Sequence, residues 1–326
     1  MGQQSTLQKI PRDPLAESPL TLQQTFYPIG FPVDIRANRA AVLEAAAESW
    51  GSFPAEFERA PVRIHVAVHA GGSDPAPEPV YRLERGLMLI VSGRDDFAFC
   101  DLRSRFGWCR ISSNMLADRG WFRWFFLEAM AYLLLNQEDV VSIHAACVER
   151  NGRGVLLCGA SGGGKSTLAY ACARAGWTYL SDDATILLQG SGSREVLGRP
   201  NQFRFRPEAM DLFPEIAGHS ASIKPNGKPT VEVPVRAFPR ISTASRSRIE
   251  RIVFLKRRRG PGVQARPVSA ADALERMMNE LPVYSEEVSR RHRHTVSALV
   301  AAPACQLEYA HFDHAIPLLA RLVDES

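Results

Sequence analysis

The amino-acid sequence predicts an α/β protein with two parts, a larger domain with a mixed or antiparallel sheet and a smaller N-terminal α+β domain. Residues 154–174 are typical of a buried strand, a glycine-rich loop and a helix in immediate succession. Asn151 and Gly152 stand between two apolar runs, which is a strong signal for a hairpin turn. Short strands at 80–111, closed by a helix at 117–136, predict the β-rich first domain.

The glycine-rich loop fits the pattern G-x-x-x-x-G-K-[ST], with Gly159, Gly164, Lys165 and Ser166 at its fixed positions. Glycines allow successive backbone N–H groups to turn towards an anion, and the helix N-terminus adds its positive dipole end. Lys165 would neutralise phosphate charge, and the Ser166 hydroxyl is placed to ligate Mg²⁺. We therefore predict bound ATP and Mg²⁺, the alternative being a chance glycine turn. The predicted nucleotide contacts are Gly159, Ala160, Ser161, Gly162, Gly163, Gly164, Lys165, Ser166 and Thr167.

Two adjacent acids follow the next predicted strand. Residues 177–180 have aromatic and β-branched strand composition and lead into Ser181, Asp182 and Asp183. Next to a polyphosphate, one carboxylate can hold Mg²⁺ while the other accepts the proton of an attacking hydroxyl. If the strand continues, the two side chains point to opposite sides and serve different roles. The alternative is an Asp-Asp turn that ends the strand.

A hairpin precedes the loop. Residues 142–148 have strand composition, and the turn at Asn151 and Gly152 connects them to the strand that enters the loop. Two parallel strands would need a crossover helix at this point, so the hairpin predicts an antiparallel neighbour for the loop strand.

The stretch from His144 to Asp183 resembles the catalytic domain of HPr kinase/phosphorylase and its relatives, which share a core with phosphoenolpyruvate carboxykinase. The resemblance rests on His144 at the start of the hairpin, the loop at 159–166, a helix that ends in Ala-Gly, and the pair Asp182-Asp183. It covers these forty or so residues closely and 140–320 more loosely.

The resemblance implies a role for each matching residue. Asp182 would act as general base towards a serine hydroxyl, and Asp183 would be associated with the metal. His144 would lie near the transferred phosphate, although a strand histidine satisfied by its neighbours is the alternative. Relatives of this kind assemble, which implies a homo-oligomer.

The sequence departs from the bifunctional members of that family downstream of the acids. Their substrate-recognition signature is replaced by Gly-Arg-Pro-Asn-Gln-Phe-Arg-Phe-Arg-Pro-Glu at 198–208, and residues 222–228 stand where their arginine-bearing glycine loop would be. We therefore do not expect the phosphocarrier HPr as substrate, nor phosphorylase activity. The chain looks more similar to stand-alone HPr-kinase-like proteins that phosphorylate a serine of a peptide.

Three basic residues are candidates for contact with substrate or triphosphate. Arg204 and Arg206 lie two apart in an alternating stretch, so both would point to one face of a strand. An arginine there can stabilise a transition-state phosphoryl group, and Lys228 on a glycine-containing loop is a similar candidate. A solvated strand face is the alternative.

Composition narrows the class of protein. The chain has 326 residues and a net charge of +4, which suits a polyphosphate ligand. Its six cysteines lack C-x-x-C spacing, so neither a disulfide framework nor a zinc site is expected. The basic runs lack interleaved aromatic residues, which disfavours nucleic-acid binding. The longest apolar stretch, 121–135, is broken by Arg123 and Glu128. We expect a cytoplasmic protein without a membrane segment.

The predicted domain boundary falls directly before the hairpin, giving a first domain at 1–138 and a catalytic domain at 139–326. For the first domain, substrate recognition, a dimer interface and a plain scaffold all remain open. For the second, the leading interpretation is an ATP- and Mg²⁺-dependent kinase that phosphorylates a serine or threonine of a protein or peptide. A small-molecule kinase and a non-catalytic nucleotide-binding regulator are the alternatives.

Overall fold

The computed structural model describes residues 19–71, 77–223, 229–258, 260, 262–282 and 284–325. The chain forms two compact units, Met1–Leu135 and Asn136–Ser326. Both combine helices with mixed sheets, so the predicted α/β class is confirmed. No helix in the described ranges is long and apolar enough to cross a membrane.

The first unit contains, in its described part, a seven-stranded mixed sheet of order β1-β2-β3-β7-β6-β5-β4. The central strands β2, β3 and β7 run parallel, and the other neighbours are antiparallel. Its strands are β1 (Leu22–Phe26), β2 (Val33–Ala37), β3 (Val62–His69), β4 (Val80–Glu84), β5 (Leu87–Ser92), β6 (Asp96–Asp101) and β7 (Phe106–Ser112). The predicted meander of short strands at 80–111 is thereby confirmed.

Helices pack on one face of this sheet. The helices are α1 (Ala40–Trp50), α2 (Ser113–Ala117), α3 (Arg119–Phe122) and α4 (Ala129–Glu138), with a π-helical segment at Arg123–Glu128. The helix expected at 117–136 is confirmed as a continuous helical stretch at 119–138 that contains the π-helical segment. The Asp118 side chain accepts the Trp121 N–H at 3.0 Å and separates this stretch from α2. On the sheet, Gly107 leaves room for Met130 and Leu134 of α4.

The second unit contains, among described residues, a nine-stranded sheet and a separate three-stranded sheet of order β14-β16-β15. The strands are β8 (Val140–Ile143), β9 (Ala145–Arg150), β10 (Arg153–Cys158), β11 (Thr178–Ser181), β12 (Thr185–Leu188), β13 (Glu195–Leu197), β14 (Gln202–Phe205), β15 (Ala221–Ile223), β16 (Pro229–Pro234), β17 (Arg246–Arg257), β18 (Val263–Val268) and β19 (Ala304–Tyr309). The helices are α5 (Lys165–Arg174), α6 (Ala209–Leu212), α7 (Ala270–Asn279), α8 (Glu286–Leu299) and α9 (Phe312–Asp324).

The strand that enters the glycine loop, β10, is buried on both faces. Val155 and Leu157 pack in the core with α5 and α9, while Leu156 and Cys158 pack in the core with α7 and α8. This two-sided burial explains the uninterrupted apolar run in the sequence. β10 pairs antiparallel with β9 and parallel with β17, and β17 pairs parallel with β19. The predicted hairpin is confirmed, with φ of +54° at Asn151 and +75° at Gly152.

The prediction of a single strand at 142–148 is wrong in one respect, because the chain forms two strands there with a break at His144. Before the break, β8 pairs with β12, and after it β9 pairs with β10 and β11. The chain moves from one set of strand partners to another at His144, so this residue leaves the hydrogen-bonded ladder and its side chain becomes available.

Candidate functional site

The glycine loop leads from β10 into α5. Gly159, Gly162 and Gly164 have φ of +149°, +82° and +93°, a region that other residues rarely adopt. A Cβ on Gly164 would lie 2.6 Å from the Tyr309 hydroxyl, so only glycine fits there. Gly164 is also the N-cap of α5 and has no side chain that could bind the first-turn N–H groups. Those donors and the helix dipole favour an anion at this position.

Lys165 is the first residue of α5 and its side chain is buried against the loop. Its Nζ donates to the carbonyl oxygens of Gly159 at 2.6 Å and Ala160 at 3.3 Å, and lies 3.0 Å from His144 Nε2. Burial lowers the pKa of Lys165 from its ordinary value, and the Asp183 carboxylate opposes that change.

His144 links the lysine to the acids. Its Nδ1 lies 3.0 Å from the backbone oxygen of Asp183 and 3.2 Å from its carboxylate Oδ1. An ammonium group only donates hydrogen bonds, so Nε2 of His144 must accept from Lys165, and Nδ1 must carry a proton towards Asp183. Lys165, His144 and Asp183 thus form one continuous hydrogen-bonded chain.

Two strand breaks lie side by side and create this arrangement. β8 and β9 are separated by His144 alone, while β11 and β12 are separated by residues 182–184. The Thr185 hydroxyl donates to the Ala145 carbonyl oxygen at 2.9 Å and lies 2.8 Å from the Ser181 hydroxyl. These buried contacts fix the two breaks against each other, which places His144 opposite the acids.

Asp182 is almost fully buried, with 6% of its surface exposed. Its Oδ2 accepts the backbone N–H of Arg204 at 2.5 Å, and its backbone oxygen accepts the Ser166 hydroxyl at 3.3 Å. Burial raises the pKa of Asp182 to about 6, while the Arg204 charge acts in the opposite direction. Asp182 is therefore a carboxylate whose proton affinity is well suited to exchange near neutral pH.

Asp183 has a different environment. Its side chain is 40% exposed and contacts both His144 and Arg204 Nη1, the latter at 3.5 Å. The hydrogen bond from His144, together with the Arg204 and Lys165 charges, lowers the pKa of Asp183. β11 ends at Ser181, so the strand does not continue through the acids, but their carboxylates still make separate contacts.

The three basic candidates differ in placement. Arg204 lies in β14, and its Nε donates to Glu232 Oε1 at 3.1 Å, so its guanidinium bridges Glu232 and Asp183. Arg206 follows the last residue of β14 and is exposed, so the expectation that it shares a strand face with Arg204 is wrong. Lys228 lies outside the described residues.

The side chains present can accommodate magnesium in one way. No group of three His, Cys, Asp or Glu side chains in the described ranges could hold a metal ion by itself. Mg²⁺ is usually bound by only one or two protein oxygens, together with water and substrate phosphates. The Ser166 hydroxyl, hydrogen-bonded beside the acids, and the exposed Asp183 carboxylate offer such a set.

A cavity of about 260 Å³ adjoins the loop at the carboxyl ends of β10, β17 and β19. Its lining combines apolar residues with Arg276, whose guanidinium lies 5.2 Å from the ring centroid of Phe254. The lining residues are Ile143, His144, Cys158, Gly159, Phe254, Leu255, Lys256, Arg276, Met277, Glu280 and Gln306.

Sequence reasoning missed several of these residues. Arg257 at the end of β17 lies over the Tyr309 ring, at 4.9 Å, on the side of Gly164. Glu280 acts electrostatically on Lys165, and Glu232 holds Arg204. None has a local motif, because each comes from an element far from the loop in sequence. Only the continuous apolar run at 252–255 of β17, typical of a strand buried on both faces, could have indicated that this strand lies beside the loop strand.

Comparison with known proteins gives limited matches. Residues 107–210, about a third of the chain, match the family described as "SynChlorMet cassette protein ScmC". No curated protein matches the chain. Among solved structures, the "Hpr(Ser) kinase/phosphatase from Coxiella burnetii" matches at 13% identity and a TM-score of 0.31, covering 57% of this chain and 99% of that one. Since this TM-score is too low to assign an activity, the function must be inferred from the geometry of the site.

Proposed function

We propose that the chain is an ATP- and Mg²⁺-dependent kinase that transfers the γ-phosphoryl group to a serine or threonine hydroxyl of a protein or peptide. One observation carries the proposal. A buried carboxylate with a pKa of about 6, Asp182, lies beside the loop that carries Lys165. The Ser166 hydroxyl donates to the Asp182 backbone oxygen, and His144 connects Lys165 to the neighbouring Asp183.

The nucleotide would be bound along the carboxyl ends of the parallel strands, where ligands of open α/β sheets usually lie. The triphosphate would contact the loop amides and Lys165, with Arg257 as a second cation beside Gly164. The base would enter the cavity of about 260 Å³, where Ile143, Phe254 and Met277 among the lining residues suit a flat aromatic ring.

In the proposed reaction, the acceptor oxygen forms a bond to the γ-phosphorus while the bond from that phosphorus to the β–γ bridging oxygen breaks. The acceptor proton passes to the Asp182 carboxylate, and ADP leaves with the electron pair of the broken bond. Lys165 stabilises the charge that develops on the moving phosphoryl group. Magnesium, when bound, would neutralise part of the phosphate charge.

The hydrogen-bonded chain supports this role for Lys165. Its ammonium is held by two loop carbonyl oxygens and by His144, which is held in turn by Asp183. Phosphate oxygens would replace the carbonyl partners, while His144 keeps the ammonium aimed at the γ-phosphate. His144 is thus a positioning residue in this proposal.

The space beside Asp182 favours a large acceptor. A recess of about 20 Å³ opens there, between Asp182, Asp183, Arg199 and Arg204. That volume holds a group the size of a water molecule. An acceptor would therefore insert a single hydroxyl group and keep the rest of its structure outside, as a side chain of a peptide can. A small metabolite kinase usually encloses its whole substrate.

The decisive experiment incubates the protein with γ-labelled ATP and Mg²⁺, together with serine- and threonine-containing peptide pools and a size-fractionated lysate. We expect label on a hydroxyl of a peptide or protein, identified by mass spectrometry. Asp182→Asn should reduce transfer by roughly 10²- to 10⁴-fold, the usual contribution of a general base. The matched control is Asp211→Asn, an exposed acid in α6, which should transfer at the normal rate.

Other outcomes separate the alternatives. Label on a small molecule would replace the peptide kinase with a metabolite kinase. ATP binding without transfer to any fraction would favour a nucleotide-binding regulator. Full activity of the Asp182→Asn protein would refute the assignment of the base.

A further inference from the structure

Strand β4 forms one edge of the first sheet, opposite the edge formed by β1. Among the described residues, no strand pairs with this edge. Val80, Tyr81 and Leu83 of β4 are 60%, 43% and 40% exposed, although all three are large and apolar or aromatic. Natural sheets often protect an edge with charged side chains or proline, and here Pro79 precedes the strand while Arg82 and Glu84 alternate with the exposed apolar residues. Two charges of opposite sign can also favour a partner strand that places an opposite charge against each of them.

The hairpin geometry determines which backbone groups face outwards. Arg85 and Gly86 form a two-residue turn with φ of +49° and +85°, and Glu84 pairs with Leu87 across it. In such a turn, the first carbonyl bonds to the fourth N–H, so the backbone of Glu84 faces β5. Hydrogen bonding alternates along an antiparallel strand. The N–H and C=O groups of Tyr81 and Leu83 therefore face the open edge.

We propose that a second copy of the chain pairs with this edge, antiparallel and about a two-fold axis at Leu83. Each Leu83 would exchange two backbone hydrogen bonds with Leu83 of the second copy. The same register places Arg82 opposite Glu84 of the second copy, and Glu84 opposite its Arg82. These are non-hydrogen-bonded positions, where facing side chains are closest. The dimer would contain two symmetric ion pairs.

Neighbouring registers are electrostatically worse. An axis at Arg82 would bring the two Arg82 side chains together. An axis at Tyr81 would place Glu84 opposite Glu78 and would pair Leu83 with Pro79, which has no N–H group. Like charges directly opposite each other destabilise a strand pair, so charge selects the axis at Leu83.

The adjacent strand β5 supports the same register. Leu89 pairs with Arg82, and Leu87 pairs with Glu84, on the same face of the sheet. Each ion pair would therefore lie between leucines of the two copies, which limits its contact with water. Reduced solvation strengthens the attraction between opposite charges. These leucines are 45% and 47% exposed in the single chain.

The test measures the mass of the full chain by sedimentation or light scattering at several micromolar concentrations. We expect an assembly whose mass is halved by Arg82→Glu and likewise by Glu84→Arg, because each change creates two like-charge pairs. An equimolar mixture of those two variants should recover the full mass, since both positions are then acidic in one chain and basic in the other, and opposite charges face each other again. The double variant R82E/E84R should also assemble alone.

Controls keep the result unambiguous. Arg94→Glu, an exposed charge in the next turn, should leave the mass unchanged, and circular dichroism should show every variant folded. A monomeric unmodified chain would overturn the proposal. A mixture of the two variants that stays dissociated would also overturn the proposal. So would a Glu84→Arg protein that assembles normally, since that result is expected for an axis at Arg82.

Discussion

The sheets of the two units are both mixed, but they are covered differently. In the second unit, the adjacent residues Val155 and Leu156 point to opposite faces and both are fully buried. In the first unit, Ile90 is 1% exposed whereas its neighbour Leu89 is 45% exposed. A sheet packed on both faces holds its strand ends rigidly, which suits the positioning of reactive groups. A sheet with one open face and an open edge suits association.

The largest expected effect on nucleotide binding comes from Lys165→Ala, which tests whether binding depends on the second unit alone. Lys165→Ala should weaken ATP binding by roughly 10- to 150-fold, because a hydrogen bond to a charged group contributes about 1.5–3 kcal/mol. Isothermal titration calorimetry measures this affinity directly. Arg82→Glu, which alters a charge of the first sheet, is the matched comparison and should bind ATP normally. Equal losses in both variants would contradict the division of roles between the sheets.

The pH dependence of phosphoryl transfer tests the role assigned to Asp182 in the second unit. Burial raises the pKa of Asp182 to about 6, and only its ionised form can accept the acceptor proton. The value of kcat/KM should therefore level off above about pH 6 and fall about tenfold per pH unit below it. Steady-state rates between about pH 5 and pH 8 would reveal this decrease in kcat/KM below about pH 6. A flat profile through that range would mean that another group receives the proton.

The smallest effect concerns stability. The folded-state pKa of Asp182, about 6, exceeds the value of about 3.9 expected for the unfolded chain. Rising pH therefore ionises Asp182 more readily in the unfolded chain, and the folded state loses stability between about pH 4 and pH 6. Asp182→Asn should remove this cost and raise stability at pH 7 by on the order of 2 kcal/mol.

Urea unfolding at pH 7 and again near pH 4 checks this stability effect. The gain from Asp182→Asn should largely disappear at the lower pH, where the carboxyl is protonated in the folded state and about half protonated in the unfolded chain. Asp211→Asn, with an exposed side chain, should change neither midpoint. A variant less stable than the unmodified protein at pH 7 would show that the Asp182 charge stabilises the fold.

Local features of the second unit could be predicted because each depends on neighbouring residues. The turn at Asn151 and Gly152 requires two positive φ angles, which this residue pair adopts easily. The glycines of the loop likewise provide the positive φ values between β10 and α5. The strand–loop–helix order and the hairpin therefore follow from the sequence over about forty residues.

Other properties depend on residues far apart in the chain. The break at His144 exists because β8 and β9 pair with different strands, and no local signal marks it. The guanidinium of Arg204 is held by Glu232 and Asp183, and no local signal marks Glu232 as its partner. Arg206 does not lie in the same strand as Arg204, because β14 ends at Phe205.

The sequence by itself determined the glycine loop, its lysine and the pair of acids, because backbone conformation in turns and helix starts is set by adjacent residues. The tertiary structure decided what those side chains can do. Asp182 is buried under the Arg204 backbone while Asp183 faces His144, so two identical neighbours have pKa values shifted in opposite directions. Burial and nearby charge determine a pKa, and both arise only when distant segments pack together.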